Sequence, residues 1–176
     1  MKQKNIKILI VFLTFIFSFI GHFMYEIFPN SLFSIIFPVN ESIWEHMKLI
    51  YTSIVLSSII EYILYKRNNI KVNNFLISIP LIGIFGIVLY LAIYLIIDLF
   101  IPHNLVVSII LLFIVFIICE IISYYLLNDK ELKHQKIIGI ILIIISYIIF
   151  GYLTYKPIDN YLFLDTETHS YGIEKN

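Results

Sequence analysis

Residues 40–48 concentrate side chains that can bind a cation or move a proton. Glu41, Glu45 and Lys48 stand at positions i, i+4 and i+7, so in a helix they share one face. His46 lies about 100° around that helix from Glu45. Two carboxylates one turn apart repel each other unless a cation or a proton lies between them. The pattern predicts a polar site in which Glu41 or Glu45 is the general base and Lys48 stabilises a developing anion.

An ordinary structural role competes with this interpretation. Ser42 and Glu45 match a helix capping box, acidic residues suit a helix N-terminus, and Trp44 suits a membrane interface. Capping uses one or two residues, however, and the same string also holds Asn40 and His46. We therefore favour a functional polar site.

Other histidines and acids fall near the ends of predicted helices. His22 and Glu26 are four residues apart, either as a metal or substrate pair or as a hydrogen-bonded pair that packs the helix. Asp165 and His169 have the same spacing in the C-terminal tail. Imidazole and carboxylate groups suit a divalent metal such as zinc, with one coordination position left for water. The candidate ligands are His22, Glu41, Glu45, His46 and His103, and Asp165 and His169 are placed to close the site.

The composition places these residues in a membrane protein. The chain of 176 residues is 60% hydrophobic and 14% charged, with a mean hydropathy of +0.94. Soluble domains carry about 25% charged residues. A bilayer core of about 30 Å takes roughly 20 apolar residues per helix. Five continuous apolar runs have that length, at residues 5–28, 43–65, 75–99, 105–127 and 137–155.

We therefore expect an all-α fold, a polytopic membrane helix bundle with five transmembrane helices. Residues 1–155 form a single transmembrane domain, and residues 156–176 form an extracytoplasmic tail. The tail holds Tyr161 and Phe163, and this aromatic content argues against disorder. We expect the tail to fold back over the outer face.

Basic residues predict the orientation of the bundle, because cytoplasmic loops of membrane proteins are enriched in lysine and arginine. With a cytoplasmic amino terminus, nine of the twelve basic residues lie inside: Lys2, Lys4, Lys7, Lys66, Arg67, Lys71, Lys130, Lys133 and Lys136. The other three are Lys48, Lys156 and Lys175. Five crossings then leave the carboxyl terminus outside, and most histidines and acids lie at the outer face.

Two acids fall within predicted helices toward the cytoplasmic side. Glu61 lies near its helix end, where it reaches the interface or pairs with Arg67. Glu120 lies deeper, and an unpaired charge at that depth is costly. We expect Glu120 to be neutral and bonded to a neighbouring helix.

Two parts of the sequence carry a resemblance to a known family. They are Asn40-Glu41-Ser42-Ile43-Trp44-Glu45-His46-Met47-Lys48 and, in the tail, Asn160-Tyr161-Leu162-Phe163-Leu164-Asp165 with Ser170-Tyr171-Gly172-Ile173. With them the chain resembles an uncharacterised family of small bacterial five-helix integral membrane proteins that share an Asn-Glu-Ser-x-Trp-Glu-His signature. The resemblance covers nearly the whole chain. It implies the fold and a place in the bacterial cytoplasmic membrane, and it implies no activity.

Missing motifs narrow the function. The sequence has no His-Glu-x-x-His zinc helix, no Gly-x-Ser-x-Gly elbow, no phosphate loop and no paired-cysteine motif. Nucleic acid is not an expected partner, because the basic residues lie in short loops. Three functions stay open. The protein is a metal-assisted membrane hydrolase or transferase, a homo-oligomer that binds or transports small solutes or ions, or a structural accessory subunit of a membrane complex. Membrane lipids are the expected partners of each.

The orientation has a direct test. A reporter enzyme that is active only in the cytoplasm should be active when fused after Arg67 and inactive when fused after Glu174, because the basic residues place these points on opposite sides. The activities of the two fusions in cells are the measurement. Activity after Glu174 would contradict the orientation.

Overall fold

The computed structural model describes residues 1–101 and 104–173. Within these residues the chain forms α-helices and one short 3₁₀ turn. The elements are α1 (Gln3–Ile27), α2 (Ser31–Ile36), α3 (Ile43–Arg67), α4 (Phe75–Asp98), α5 (Leu105–Asn128), α6 (Gln135–Tyr155) and the 3₁₀ turn Tyr161–Phe163. All of the α-helices except α2 are long and apolar enough to cross a membrane.

The predicted all-α bundle of five long helices is confirmed, with bounds that differ from the prediction by at most two residues. The short helix α2 was not predicted, since six residues are too few to show a helical period. Its N-terminus is capped by Asn30, whose side chain accepts the N–H groups of Leu32 and Phe33 at 3.1 Å. This helix folds the α1–α3 connection back toward α6.

Successive long helices run in opposite directions, which gives the bundle two different ends. At the basic end, the start of α4 meets the end of α5, where Asn73 N–H donates to Leu127 O at 2.9 Å. This end carries the exposed Lys66, Lys71 and Lys136. The opposite end, which we call the histidine end, holds the end of α1, the start of α3 and the end of α6.

The third helix is the centre of the bundle. Every residue from 47 to 54 is buried, so all faces of two turns of α3 are covered by other elements. It packs against α1 and α4, and the 3₁₀ turn of the tail lies against its start. Side chains on α3 are therefore placed to join several elements at once.

A buried charge cluster joins α1, α3 and α5 in the basic half of the bundle. Lys7 Nζ lies 2.5 Å from Glu61 Oε1 and 2.8 Å from Glu120 Oε2, and it donates to Ser123 Oγ at 2.6 Å. The Tyr65 hydroxyl donates to Glu61 Oε1 at 2.6 Å. The three charged side chains are no more than 7% exposed. We call this set the inner triad.

The inner triad corrects two expectations about charged residues. Glu61 pairs with Lys7 and not with Arg67 at the helix end, because Lys7 turns into the bundle. Lys7 is thus a buried partner rather than a charge that flanks the membrane. Glu120 is bonded to a neighbouring helix, α1. That Glu120 is neutral stays a prediction. It agrees with the presence of one lysine for two acids, because a single cation balances a single carboxylate.

Removing Lys7 should cost more stability than removing either acid. Lys7→Met leaves the Glu61 carboxylate buried without a cation beside the Glu120 carboxyl group, and breaking such a group costs about 3–5 kcal/mol. Glu120→Gln keeps a balanced Lys7–Glu61 pair and should unfold close to the native protein. The measurement is the unfolding midpoint in detergent, with the exposed Lys4→Met as matched control. A Lys7→Met protein as stable as this control would contradict the assignment.

Candidate functional site

Three predicted ligands converge at the histidine end. His22 comes from the last turns of α1, Glu41 from the loop before α3, and His46 from the first turn of α3. His22 Nε2 lies 3.6 Å from Glu41 Oε1, and His46 Nε2 lies 3.4 Å from Glu41 Oε2. One ligand atom from each residue falls within 4.8 Å of the other two. We call this set the His–Glu–His triad, and its side chains are half-buried.

Local hydrogen bonds orient the triad. His46 Nδ1 donates to Ser42 O at 2.9 Å, because a carbonyl oxygen can only accept. In the neutral ring this bond leaves the Nε2 lone pair free toward Glu41. Asn40 Oδ1 accepts the Ser42 N–H at 3.0 Å, and Asn40 Nδ2 donates to Gly172 O at 3.0 Å. Hydrogen bonds thus fix the residues directly before and after Glu41.

Close packing of α1 brings His22 to the triad. Its neighbour Gly21 faces Phe37 and Leu49, and a Cβ atom there would lie 3.3 Å from each side chain. The absence of a side chain at Gly21 lets α1 approach the start of α3. The His22 and His46 rings lie 5.3 Å apart, centre to centre.

The triad lies in the wall of a cavity of about 210 Å³. The other walls come mainly from α4 and α5, with Tyr90, Tyr94, Leu105 and Leu112 among them. Polar ligand atoms in a mostly apolar cavity are typical of sites for small molecules. The cavity therefore suits a ligand that has an apolar part and one group able to reach the triad.

The C-terminal tail covers one side of this cavity. Its residues Tyr161 and Thr166 contribute to the lining. The Tyr161 hydroxyl donates to the Asp98 carboxylate at 3.1 Å. Burial raises the pKa of the Tyr161 phenol, and the bond to Asp98 raises it further, so the phenol stays a donor. Phe163 stacks on Trp44 with ring centres 4.9 Å apart, which attaches the tail to α3.

The structure does not bring Glu45 and Lys48 to the triad. Lys48 is fully buried, and its Nζ atom lies 2.6 Å from Glu45 Oε2. Its ammonium also donates to Ser34 O at 2.7 Å and to the hydroxyl of Thr154. Glu45 accepts from the Val39 N–H at 3.0 Å and from Thr154 at 2.8 Å. We call this set the Lys48–Glu45 clamp, which joins α2, α3 and α6.

The clamp corrects the predicted single site. The helix begins at Ile43, so Glu41 lies in the preceding loop and does not share the face of Glu45 and Lys48. Both oxygens of Glu45 and the ammonium of Lys48 already have partners in the clamp. Neither residue is therefore placed as a base or as an anion-stabilising group for a ligand in the cavity. Only one of the two hydrogen bonds of a capping box forms. Ser42 Oγ accepts the Glu45 N–H at 3.3 Å, but the Glu45 carboxylate accepts the N–H of Val39 and not that of Ser42.

The remaining predicted residues fall in several places. Glu26 is exposed and stands one helical turn beyond His22 on α1. Asp165 is buried and organises the tail, where its carboxylate accepts the Glu167 N–H at 2.8 Å and the Thr168 hydroxyl at 2.9 Å. His169 is exposed and adopts a left-handed backbone conformation with φ 54°. The predicted ligand His103 lies outside the described residues.

Sequence reasoning missed Tyr90 and Tyr94 of the cavity wall. They are four residues apart, and their rings stack with centres 5.7 Å apart. The available signal was two tyrosines one helical turn apart in a helix whose other residues are almost all apolar. Thr154 of the clamp gave no signal, because one threonine near a helix end is common in any sequence.

Fold and site together define a multi-pass membrane helix bundle with a half-buried cluster of two histidines and a glutamate at one end. The chain belongs to DUF6512, a family of unknown function, whose profile matches residues 1–173. No curated protein and no solved structure matches the chain.

The clamp gives a stability prediction. Lys48→Met removes the cation and leaves Glu45 as a buried unpaired carboxylate, so it should lower the free energy of unfolding by about 3–5 kcal/mol. Adding Glu45→Gln should recover part of that loss. The exposed Lys156→Met at the same end is the matched control and should stay within about 0.5 kcal/mol of the native protein. Denaturant unfolding in detergent measures all three, and an unaffected Lys48→Met protein would contradict the clamp.

Proposed function

We propose that this membrane protein binds a divalent metal, zinc by ligand type, at His22, Glu41 and His46, and uses it in a hydrolase or transferase reaction. One observation carries the proposal: three ligand atoms from three positions in the sequence lie within 4.8 Å of one another at a cavity. Two imidazoles and one carboxylate are a ligand set of catalytic zinc, which leaves a fourth position for water or substrate.

The distances support metal binding by these side chains. Two ligands of a tetrahedral zinc at about 2.0–2.1 Å are about 3.3 Å apart. In the triad, His22 Nε2 lies 3.6 Å from Glu41 Oε1 and His46 Nε2 lies 3.4 Å from Glu41 Oε2, while one ligand atom from each of the three residues falls within 4.8 Å of the others. The bond from His46 Nδ1 to Ser42 O is the kind of outer contact that fixes a ligating imidazole.

Such a reaction also needs a general base and room for a substrate. A metal of this kind polarises a carbonyl or phosphoryl oxygen and activates a bound water. Because Glu41 is a ligand here and Glu45 belongs to the clamp, the base is a different carboxylate. Glu26, which stands one helical turn from His22 near the end of α1, is the candidate base. The apolar wall suits a substrate with a hydrocarbon part.

Ion or proton transport is a second candidate, favoured by a row of buried polar side chains between α1 and α3. The Thr14 hydroxyl donates to Ser57 Oγ at 2.7 Å, and both residues are buried. Ser57 stands one helical turn from Glu61 of the inner triad, and Thr14, Ser18 and His22 follow one another at one-turn intervals of about 6 Å. Flux of protons or metal ions into liposomes would favour this candidate.

The location completes the proposal. We place the protein in the bacterial cytoplasmic membrane, with its amino terminus inside and the histidine end outside. The excess of basic residues at the opposite end supports this orientation. The cavity then faces the outer leaflet and the extracytoplasmic solution.

Zinc should stabilise the native protein and not a variant that lacks a ligand. At a concentration about a hundredfold above Kd, zinc binding adds about 2.7 kcal/mol to the folded state. We expect this rise in the unfolding midpoint to disappear in His22→Asn and to persist in His134→Asn, the matched control at the exposed basic end. Metal analysis of the purified protein should give one zinc per chain.

Two results would contradict the proposal. Purified protein whose unfolding midpoint does not respond to zinc, cobalt or manganese would leave the triad as a hydrogen-bonded cluster without a metal. An equal zinc response in the His22→Asn and His134→Asn proteins would place the metal elsewhere.

A further inference from the structure

A second cavity, of about 950 Å³, lies at the basic end between α3, α4 and α6. Its apolar lining includes Val55 and Ile59 of α3, Ile79 of α4 and Ile143 of α6. We call it the basic-end groove. It is far from the His–Glu–His triad and shares no residue with it.

Helix packing opens this groove. Gly139 of α6 lies against the backbone of α4, since a Cβ atom there would be 2.4 Å from Leu76 O. Toward the histidine end, α6 is tied to α3 through Thr154 and Glu45 at 2.8 Å. Toward the basic end α6 stays on α4, and the groove separates it from α3. The width of the groove is therefore determined mainly by how the helix backbones pack, and less by side-chain rotamers.

The mouth of the groove is positively charged. Lys66, Lys71 and Lys136 line it together with one acid, Glu131. Lys66 Nζ lies 5.4 Å from the Tyr62 ring centre, which holds one ammonium beside the opening. Cationic side chains at helix ends above an apolar interior match an amphipathic anion, with its charge at the membrane interface and its chain in the membrane.

One buried polar group in the groove lacks a partner. Gln135 lines the groove and is 6% exposed. Among the described residues, no donor reaches its buried Oε1 atom. An unsatisfied buried amide costs stability, so a rotation of the Gln135 side chain that brings Oε1 to a hydroxyl donor in the groove would be favoured.

We propose that the basic-end groove binds one anionic glycerophospholipid with a hydroxyl-bearing headgroup, as in phosphatidylglycerol. The lipid phosphate binds Lys66, Lys71 and Lys136, and a headgroup hydroxyl donates to Gln135. An acyl chain lies along Ile59 and Ile143. The same lipid joins the basic ends of α3 and α6, which the polypeptide leaves apart.

Lipid selectivity in the purified full-length protein tests this proposal. Phosphatidylglycerol and phosphatidylcholine with identical acyl chains are added to protein in a neutral detergent. Bound lipid is counted by native mass spectrometry, and the unfolding midpoint is recorded. We expect phosphatidylglycerol to be retained and to raise the midpoint, and phosphatidylcholine to do neither. Equal retention of both lipids by the native protein would overturn the proposal without any variant.

Matched triple variants locate the site. Replacing Lys66, Lys71 and Lys136 with Gln should weaken phosphatidylglycerol binding about a hundredfold, the sum of three lysine–anion contacts at a membrane surface. Replacing Lys4, Lys130 and Lys133 with Gln removes the same charge from exposed positions outside the groove and should leave binding unchanged. An equal loss in both triple variants would overturn the groove as the site.

Two further arms separate the headgroup from simple charge. Gln135→Met should reduce the preference for phosphatidylglycerol over phosphatidylmethanol, a phosphodiester of the same single negative charge, because only the former has a hydroxyl to donate. An unchanged preference would overturn the role of Gln135. Soluble glycerol phosphate should not displace the lipid at millimolar concentration. Efficient displacement would overturn the proposal, because it would show a phosphate site that does not use the acyl chain.

Discussion

An ammonium group inside an apolar bundle keeps its charge only where oxygen atoms replace the water it has lost. Lys48 meets this condition with a carboxylate, a backbone carbonyl and a hydroxyl from three different elements. Those partners fix how α2 and α6 lie against α3, and the start of α3 in turn carries His46 and the loop with Glu41. The geometry of the histidine end therefore depends on how one lysine is solvated by protein.

The same constraint separates charges that hold the fold from charges available for chemistry. Glu45 and Glu41 are only four residues apart, yet one is 2% exposed and bound to Lys48, while the other is 38% exposed and faces two imidazoles. In the basic half, Lys7 solvates Glu61 and Glu120 in the way that Lys48 solvates Glu45. The side chains of the His–Glu–His triad lie at a cavity and are not committed to a buried ion pair.

Much of the fold could be predicted, because each long helix is a continuous apolar run of the length that a bilayer requires. The division of polar residues between clamp and triad could not. It depends on the path of the loop before Ile43, which carries Glu41, and on the groups of α2 and α6 that bind Lys48 and Glu45. Lys7 was misplaced for a related reason: its position suggests a flanking charge, and its burial depends on acids more than fifty residues away. His22 and His46 were predicted as ligands because one stands four residues from Glu26 and the other lies in the polar string 40–48.

Gly172 in the tail has a consequence for how the site can vary. It adopts φ 67°, its carbonyl accepts from Asn40 beside Glu41, and a Cβ atom there would lie 2.7 Å from Thr154 O in the last turn of α6. One residue thus connects the cover of the cavity, the loop that carries a triad carboxylate and the helix that completes the clamp. A substitution at Gly172 would therefore disturb both the tail that covers the cavity and the loop that aims Glu41.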